Sequence, residues 1–162
     1  DVEHYECDEP FLTSPDFDEA AAGLDAFEVT RWTNRWTPEH LRWRLGRPHA
    51  RYHVHVSDDL FAVSTRDKRF GVPAAVIMKL LPRRPATEPI SAQRLLTEVC
   101  RVHRAPYAVY CGFNAHVSVR GVRPPRRLQP SPLYLILRSL QPDVDQASLA
   151  LEIYEFLDQD AY

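Results

Sequence analysis

The sequence predicts an α/β (α+β) fold in which helices flank one mixed, mostly antiparallel sheet. Three apolar stretches follow one another between residues 52 and 81 with only short polar turns between them, which indicates neighbouring antiparallel strands. An amphipathic stretch then leads to a further apolar stretch at residue 107. Two strands joined by a helical crossover run parallel, so the sheet is expected to contain one parallel pair.

The length of 162 residues and the composition indicate one soluble domain, assigned to residues 17–162, that follows an acidic arm at residues 1–16. No stretch approaches the roughly 20 apolar residues of a membrane helix, and no signal peptide is recognisable. The three cysteines (Cys7, Cys100 and Cys111) have no metal or redox spacing. They predict buried, reduced thiols in a cytoplasmic protein.

Charge is distributed unevenly along the chain. Residues 1–30 carry a net charge of −10 and the rest +8, and 18 of the 20 basic residues are arginine. Guanidinium groups bind phosphates and carboxylates through paired hydrogen bonds. The pattern therefore predicts either an anionic partner or an acidic segment that folds onto the basic remainder.

The first elements are predicted to be helices. Phe17 to Phe27 places apolar side chains on one side of a short helix. A second helix is predicted to begin with Thr37 as N-cap and Pro38 at its first position, and to end at Gly46. Its Trp43 is expected to face the core.

The next elements alternate between strands and helices. The predicted strands are Tyr52–Ser57, Leu60–Thr65, Val72–Leu81, Tyr107–Phe113, Pro132–Leu140 and Leu149–Leu157. A helix capped by Ser91 is expected to reach about His103, and Asn114–Val122 is predicted as a brief helix. Asp158 and Asp160, near the end of the chain, are expected to be solvated carboxylates.

This order resembles the GNAT (acyl-CoA N-acyltransferase) superfamily over roughly residues 17–162. The segments "TPEHLRWRLGRP", "YHVHVSDD", "VIMKLLP" and "LEIYEFLDQD" look like the C-terminal half of longer GNAT-type bacterial proteins with two such units per chain. The resemblance implies a sheet in which Val72–Leu81 and Tyr107–Phe113 are parallel and diverge at one end. The superfamily's first strand has no clear counterpart in the sequence.

The resemblance also implies a cofactor, acetyl-CoA or another acyl-CoA, whose pantetheine arm pairs with the open edge of Val72–Leu81. The following loop would then surround the pyrophosphate. The cofactor-binding residues implied in this way are Met78, Leu80, Arg83, Arg84, Thr87 and Asn114. The activity implied is acyl transfer to an amine, with the oxyanion held by a strand N–H near Met78 or Leu80.

The loop departs from the pattern of the superfamily. Residues 82–90 contain three prolines and no glycine, whereas a phosphate cradle uses backbone N–H groups and close approach of the backbone. Arg83 and Arg84 could bind phosphate through their side chains instead. These features predict a weakened phosphate site.

The catalytic residues are less clearly indicated. The superfamily often places a tyrosine about two turns after the asparagine that corresponds to Asn114, but Gly121 stands there. Tyr107 and Tyr110 are the alternative candidates for the acid. His53 and His55 share one strand face and are candidates for a base. They could also be a metal pair, but no third ligand is apparent, so no metal site is predicted.

Three functions remain open from the sequence. The first is acyl transfer from acyl-CoA to an amine. The second is a catalytically inactive GNAT-like module that binds a partner, such as a sister GNAT half, or assembles a dimer. The third is nucleic-acid binding through the arginine- and tryptophan-rich residues 31–51.

Overall fold

The computed structural model describes residues 1–24, 33–69, 71–125 and 150–158, with the side chain of residue 69 excluded. The predicted strand Pro132–Leu140 and residues 25–27 of the predicted helix Phe17–Phe27 lie outside these residues. The strands are β1 (Glu3–Glu6), β2 (Tyr52–Val56), β3 (Leu60–Arg69), β4 (Val72–Pro82), β5 (Ile90–Ser91), β6 (Ala108–Tyr110), β7 (Gly112–Asn114), β8 (Val117–Ser118) and β9 (Ile153–Glu155). The helices are α1 (Glu9–Leu12), α2 (Pro15–Ala20), α3 (Pro38–Leu45) and α4 (Gln93–Val102), and a 3-10 turn spans Phe156–Asp158.

The main sheet has the strand order β1-β2-β3-β4-β6. The first four strands are antiparallel neighbours, and β4 pairs with β6 in parallel, as the helical crossover predicted. Side chains of β4 enter two separate cores in alternation, and a β-bulge at Met78, between the pairs Ile77–Ser64 and Lys79–Val63, shifts that alternation by one residue. Met78 packs against α1–α3 on one face, whereas Ile77 and Leu80 pack against α4 on the other. This burial on both faces explains the continuous apolar run in β4.

The parallel pair is short and opens at one end. Ala75, Val76 and Ile77 are opposite Ala108, Val109 and Tyr110. Beyond these pairs β4 continues to Pro82, whereas the chain after β6 enters β7 and pairs with β9. The predicted fold class is thus confirmed: a mixed, mostly antiparallel sheet with one splayed parallel pair and flanking helices, consistent with a GNAT-like fold.

Residues 1–16, which the sequence predicts to be an arm, contain the strand β1 and the helix α1. β1 lies antiparallel to β2 at the edge of the sheet, with Glu3 opposite Val56 and Glu6 opposite His53. The Asp8 side chain caps α1 by accepting a hydrogen bond from the Phe11 N–H (2.9 Å). The expectation that the sheet has no first strand is therefore wrong. The strand was missed in the sequence because a polar edge strand such as "EHYE" shows no alternation of apolar residues. The domain boundary itself stays a prediction.

Three local expectations also change. The brief helix predicted at Asn114–Val122 is instead strand β8, which runs parallel to β5. Ser91 belongs to β5 and does not cap α4, whose N-cap is Ala92. The predicted strand Leu149–Leu157 is reduced to β9, because the Asp158 side chain accepts the Glu155 N–H (2.8 Å) and closes a turn.

The helix predicted around Thr37 is confirmed, with its side chain accepting from the His40 N–H (3.2 Å). The cysteines Cys7, Cys100 and Cys111 are free thiols that are half-buried, not buried. Burial raises the pKa of the Cys7 thiol to about 12, so this thiol is unreactive at neutral pH. Within the described residues, no helix is long and apolar enough to cross a membrane.

Gly112 permits the close contact between β7 and β9, which supports the C-terminal segment. Its φ is +129°, and a Cβ at this position would lie 2.1 Å from the Tyr154 carbonyl oxygen. We expect Gly112→Ala to lower the free energy of unfolding in urea by about 3 kcal/mol or more, through backbone strain and this clash.

Gly71→Ala provides the matched control. Gly71 also has a positive φ, +79°, but a Cβ there would meet nothing within 4 Å. Gly71→Ala should therefore lower the free energy of unfolding by only about 1 kcal/mol, from backbone strain alone. Equal costs for the two variants would contradict the proposed clash at Gly112.

Candidate functional site

The candidate site is the opening between β4 and β6, where side chains of this chain bind the free edge of β4. The Leu80 N–H donates a hydrogen bond to Glu155 Oε2 (3.2 Å). The Leu80 carbonyl oxygen accepts one from Asn114 Nδ2 (2.8 Å). The backbone groups that would otherwise require a further strand or a ligand therefore have partners within the chain.

Glu155 is the centre of a buried polar network. Its Oε1 accepts a hydrogen bond from the Tyr110 hydroxyl (2.9 Å), and Asn114 Nδ2 lies 3.5 Å from the same oxygen. Its Oε2 lies 3.2 Å from Lys79 Nζ. The Glu155 side chain is fully buried, so its orientation is fixed by these partners and not by solvent.

Lys79 joins two carboxylates inside the protein. Its Nζ lies 2.6 Å from Asp158 Oδ2, and none of the three charged side chains is accessible to solvent. Asp158 Oδ1 accepts further hydrogen bonds from Trp36 Nε1 (2.9 Å) and Asn34 Nδ2 (3.0 Å). A buried ammonium needs such partners because it loses its hydration. The network thus ties β4 to the C-terminal turn and to the segment that precedes α3.

The acid–base properties of the site follow from burial. Burial raises the pKa of the Glu155 carboxyl, while the Lys79 ammonium opposes that rise. Burial and the neighbouring Glu155 carboxylate raise the pKa of the Tyr110 hydroxyl, which keeps the phenol protonated at neutral pH. The site therefore contains one proton donor and one carboxylate in direct contact.

Two of the residues predicted to bind a cofactor lie at this opening, namely Leu80 and Asn114. Met78 lies in the core. Arg83 donates to the carbonyl oxygens of Ser57 (3.0 Å) and Glu19 (3.1 Å).

Arg84 forms an ion pair with Asp59. Both arginines of the loop after β4 thus contact this chain.

Thr87 lines a cavity of about 70 Å³ beside the loop, together with Pro82, Pro89 and His116. A single water needs roughly 10–15 Å³ by this kind of measure, so the cavity has room for a few waters only. It is too small for a nucleotide diphosphate. The assignment of Thr87 to cofactor binding stays a prediction.

The candidate acids occupy different ends of the parallel pair. The Tyr107 carbonyl oxygen accepts the Ala75 N–H (3.1 Å) at the closed end, whereas Tyr110 lies where the strands part. The Tyr110 hydroxyl contacts the network of Glu155. Geometry therefore favours Tyr110.

The candidate bases His53 and His55 do share one face of β2, with ring centroids 6.4 Å apart. His55 is completely buried, and its Nε2 shares a hydrogen bond with Ser64 Oγ (2.6 Å). Ser64 Oγ is bonded in turn to His103 Nε2 (2.6 Å), and His55 Nδ1 to His4 Nδ1 (2.8 Å). In this histidine cluster (His4, His53, His55 and His103), His55 and His103 are buried, His53 is half-buried and His4 is exposed.

The cluster is uncharged at neutral pH. Burial, reinforced by the neighbouring imidazoles, lowers the pKa of His55 to about 3 and that of His103 to about 4. Burial also lowers the pKa of His4 and of His53. In the part of the chain that the structure describes, no three histidine, cysteine or acidic residues are arranged to hold a metal ion.

The arginine- and tryptophan-rich segment does not form one continuous surface over residues 33–51, the part of it that the structure describes. Arg42 Nε donates to the Leu12 carbonyl oxygen (2.7 Å), and Arg42 also pairs with Asp18. Arg44 and Trp36 are buried. Trp43, expected in the core, is 66% exposed, so that expectation is wrong. Arg31 and Trp32 lie outside the described residues.

The sequence interpretation missed Lys79, Glu155 and Asp158. Lys79 is the one charge within the apolar run "VIMKLL", and such a lysine requires a buried carboxylate partner. Glu155 stands at an alternate position of "LEIYEFL", which indicated that it could face the protein interior. The expectation of a solvated Asp158 is wrong, because it pairs with Lys79.

Comparisons with known proteins give only distant similarity. The sequence matches no protein-family model, and no curated protein is significantly similar to it. Among solved structures, it is similar to an aminoglycoside acetyltransferase from an uncultured soil metagenomic sample, in complexes with trehalose and with sisomicin. Each alignment has 16% identity and a TM-score of 0.41, and covers 85% of this chain and 97% of that chain. The GNAT-like arrangement therefore rests on the strand order and on the splayed pair.

Replacing Lys79 by methionine tests the buried network. Lys79→Met leaves the carboxylates of Glu155 and Asp158 buried without a counter-ion, so the free energy of unfolding should fall by about 3–5 kcal/mol. Urea denaturation measures the change. Lys68→Met, at an exposed position of β3, should stay within about 0.5 kcal/mol of the parent. A similarly small effect of Lys79→Met would contradict the role assigned to this ion pair.

Acid should destabilise the protein through the buried histidines. An unfolded histidine takes up a proton as the pH falls through about 6.5. His55 and His103 resist protonation in the folded protein until about pH 3 and about pH 4. The unfolded chain therefore binds more protons between these limits. The free energy of unfolding should drop by up to about 1.4 kcal/mol per pH unit for each histidine as the pH falls from about 6.5 to 4.

Urea denaturation across this pH range checks the expectation. His103→Gln should flatten the dependence, because one of the two titrating groups is gone. His40→Gln, on α3 and outside the cluster, should leave the slope unchanged. Equal slopes for both variants and the parent would rule out the cluster as the cause.

Proposed function

We propose that this chain is a GNAT-like acyltransferase domain with a weakened acyl-CoA site, acting on an amine. The observation that supports the proposal is the carboxylate oxygen of Glu155 bound by the Leu80 N–H inside the opening between β4 and β6. It indicates that this N–H is directed into the opening and holds an oxygen acceptor. An acyl carbonyl oxygen is an acceptor of the same kind.

The residues at the opening fit the acyl end of the cofactor. A bound acyl-CoA would supply an activated thioester. The Leu80 N–H would hold its carbonyl oxygen, in the place now taken by Glu155 Oε2. The Tyr110 hydroxyl carries a proton suited to a leaving sulfur, and the Glu155 carboxylate is the nearest group to take a proton from an attacking amine.

The residues of the loop fit the pyrophosphate end poorly. Pro82, Pro85 and Pro89 have no N–H to donate. Arg83 already donates to two backbone carbonyl oxygens, and Arg84 pairs with Asp59. We therefore assign no residue of this loop to phosphate binding.

Displacing Glu155 also carries a cost. To leave the Leu80 N–H, the carboxylate would have to separate from Lys79 and Tyr110. Breaking a buried ion pair costs about 3–5 kcal/mol, which would weaken ligand binding by roughly two to four orders of magnitude. The proposed site is thus expected to bind acyl-CoA only weakly.

The second candidate is a catalytically inactive GNAT-like module that binds a sister GNAT half or forms a homodimer. The observation that favours it is the engagement of both loop arginines within this chain, together with the prolines of the loop. Under this interpretation, Glu155 permanently closes the opening and the network serves stability alone.

Calorimetric titration with acetyl-CoA distinguishes the two candidates. Glu155→Ala removes the competing carboxylate, so we expect binding roughly tenfold or more tighter than in the parent, as release of a charged hydrogen bond permits. Binding should be accompanied by loss of any acyl transfer to amines, because the proposed base is gone.

Glu9→Ala, which removes an exposed carboxylate of α1, serves as the control and should match the parent. Far-ultraviolet circular dichroism establishes that each variant is folded. If folded Glu155→Ala binds no acetyl-CoA at millimolar concentration, the first candidate fails and the inactive module is favoured.

A further inference from the structure

An arginine-lined groove lies between the α3–β2 loop and β3, outside the opening described above. It has a volume of about 610 Å³, within the roughly 300–1,000 Å³ range of small-molecule sites. Its charged and polar lining includes Arg47, His49, Arg51, Thr65, Arg66 and Asp67. The groove belongs neither to the proposed acyl site nor to the loop after β4.

The walls of this groove are held in place by the sheet. Tyr52 and Thr65 are register partners in the antiparallel β2–β3 pair, so Arg51, which precedes Tyr52, and Arg66, which follows Thr65, lie at the same end of this pair. The Thr65 hydroxyl donates a hydrogen bond to the Arg51 carbonyl oxygen (2.8 Å), which fixes the loop against β3. His49 has a φ of +69°, an uncommon backbone conformation for a non-glycine residue. The groove is therefore a built feature of the fold.

The charges around the groove favour an anionic ligand. Arg47, Arg51 and Arg66 contribute three guanidinium groups against the single carboxylate of Asp67. Arg51 and Arg66 are both exposed at the groove. A guanidinium binds phosphate oxygens through paired hydrogen bonds and keeps its charge at any physiological pH.

The dimensions favour a small anion over a nucleic acid. A nucleic-acid surface would need a continuous row of arginines with aromatic side chains between them. Arg44 and Trp36 are buried, and Arg42 is bound by Leu12 and Asp18, so the row is interrupted. Arg47, Arg51 and Arg66 instead line a single groove.

We propose that this groove binds a small, phosphate-bearing anion with several negative charges. Arg51 and Arg66 provide the phosphate contacts, and Asp67 limits the net positive charge. This proposal is independent of the proposed acyltransferase function, since different residues form the groove and the network of Lys79 and Glu155.

Calorimetric titration with inorganic tripolyphosphate tests the proposal on the whole chain. We expect saturable binding that weakens at higher salt, as phosphate contacts do. Arg51→Ala and Arg66→Ala should each weaken it by about tenfold, and Asp67→Asn should strengthen it by a few-fold, since one opposing charge is removed.

Arg94→Ala is the matched control because Arg94 is an exposed arginine of α4 that does not line the groove. It should bind tripolyphosphate as the parent does. The Glu155→Ala variant should also bind it unchanged, which separates this groove from the acyl site. Absence of saturable binding at millimolar tripolyphosphate would overturn the proposal. Equal affinity in Arg51→Ala, Arg66→Ala and the parent would do so too, as would binding of a single-stranded oligonucleotide but not tripolyphosphate.

Discussion

The buried ion pair between Lys79 and the carboxylates of Glu155 and Asp158 is the constraint on which the C-terminal part of the structure depends. Lys79 lies in the middle of the most buried strand, where an unpaired ammonium would be strongly unfavourable. Its two partners come from β9 and the turn that follows it. The charge of one side chain thus determines where a segment more than seventy residues away packs.

The same interaction determines the state of the candidate site. A splayed parallel pair leaves backbone groups of β4 without a neighbouring strand, and these groups require partners. Glu155 and Asn114 provide them at Leu80, with Tyr110 completing the network. Both proposed functions therefore share the same backbone geometry at this opening. In the proposed acyltransferase an acyl group would take the place of Glu155 at the Leu80 N–H, whereas in the proposed inactive module Glu155 stays there. What separates the two functions is the free energy needed to move Glu155.

Polar residues inside this fold occur as connected groups. In the histidine cluster, His4, His55 and His103 are connected by hydrogen bonds among imidazoles and Ser64. The arginines, by contrast, are divided between internal contacts, such as those of Arg83, and the groove beside Arg51. Arginine enrichment in the sequence therefore has more than one structural cause.

The sequence by itself determined the strand meander, the parallel crossover and the start of α3, because apolar periodicity and capping residues are local signals. The resemblance to GNAT proteins named Leu80, Tyr110 and Asn114 among its candidate site residues, and the structure places these three at the opening. Only the tertiary structure decided that Glu3–Glu6 joins the sheet, since a polar edge strand is defined by its neighbour. It alone decided that Asp158 is buried, because a carboxylate near the end of the chain shows no preference for the interior until a buried ammonium is brought beside it.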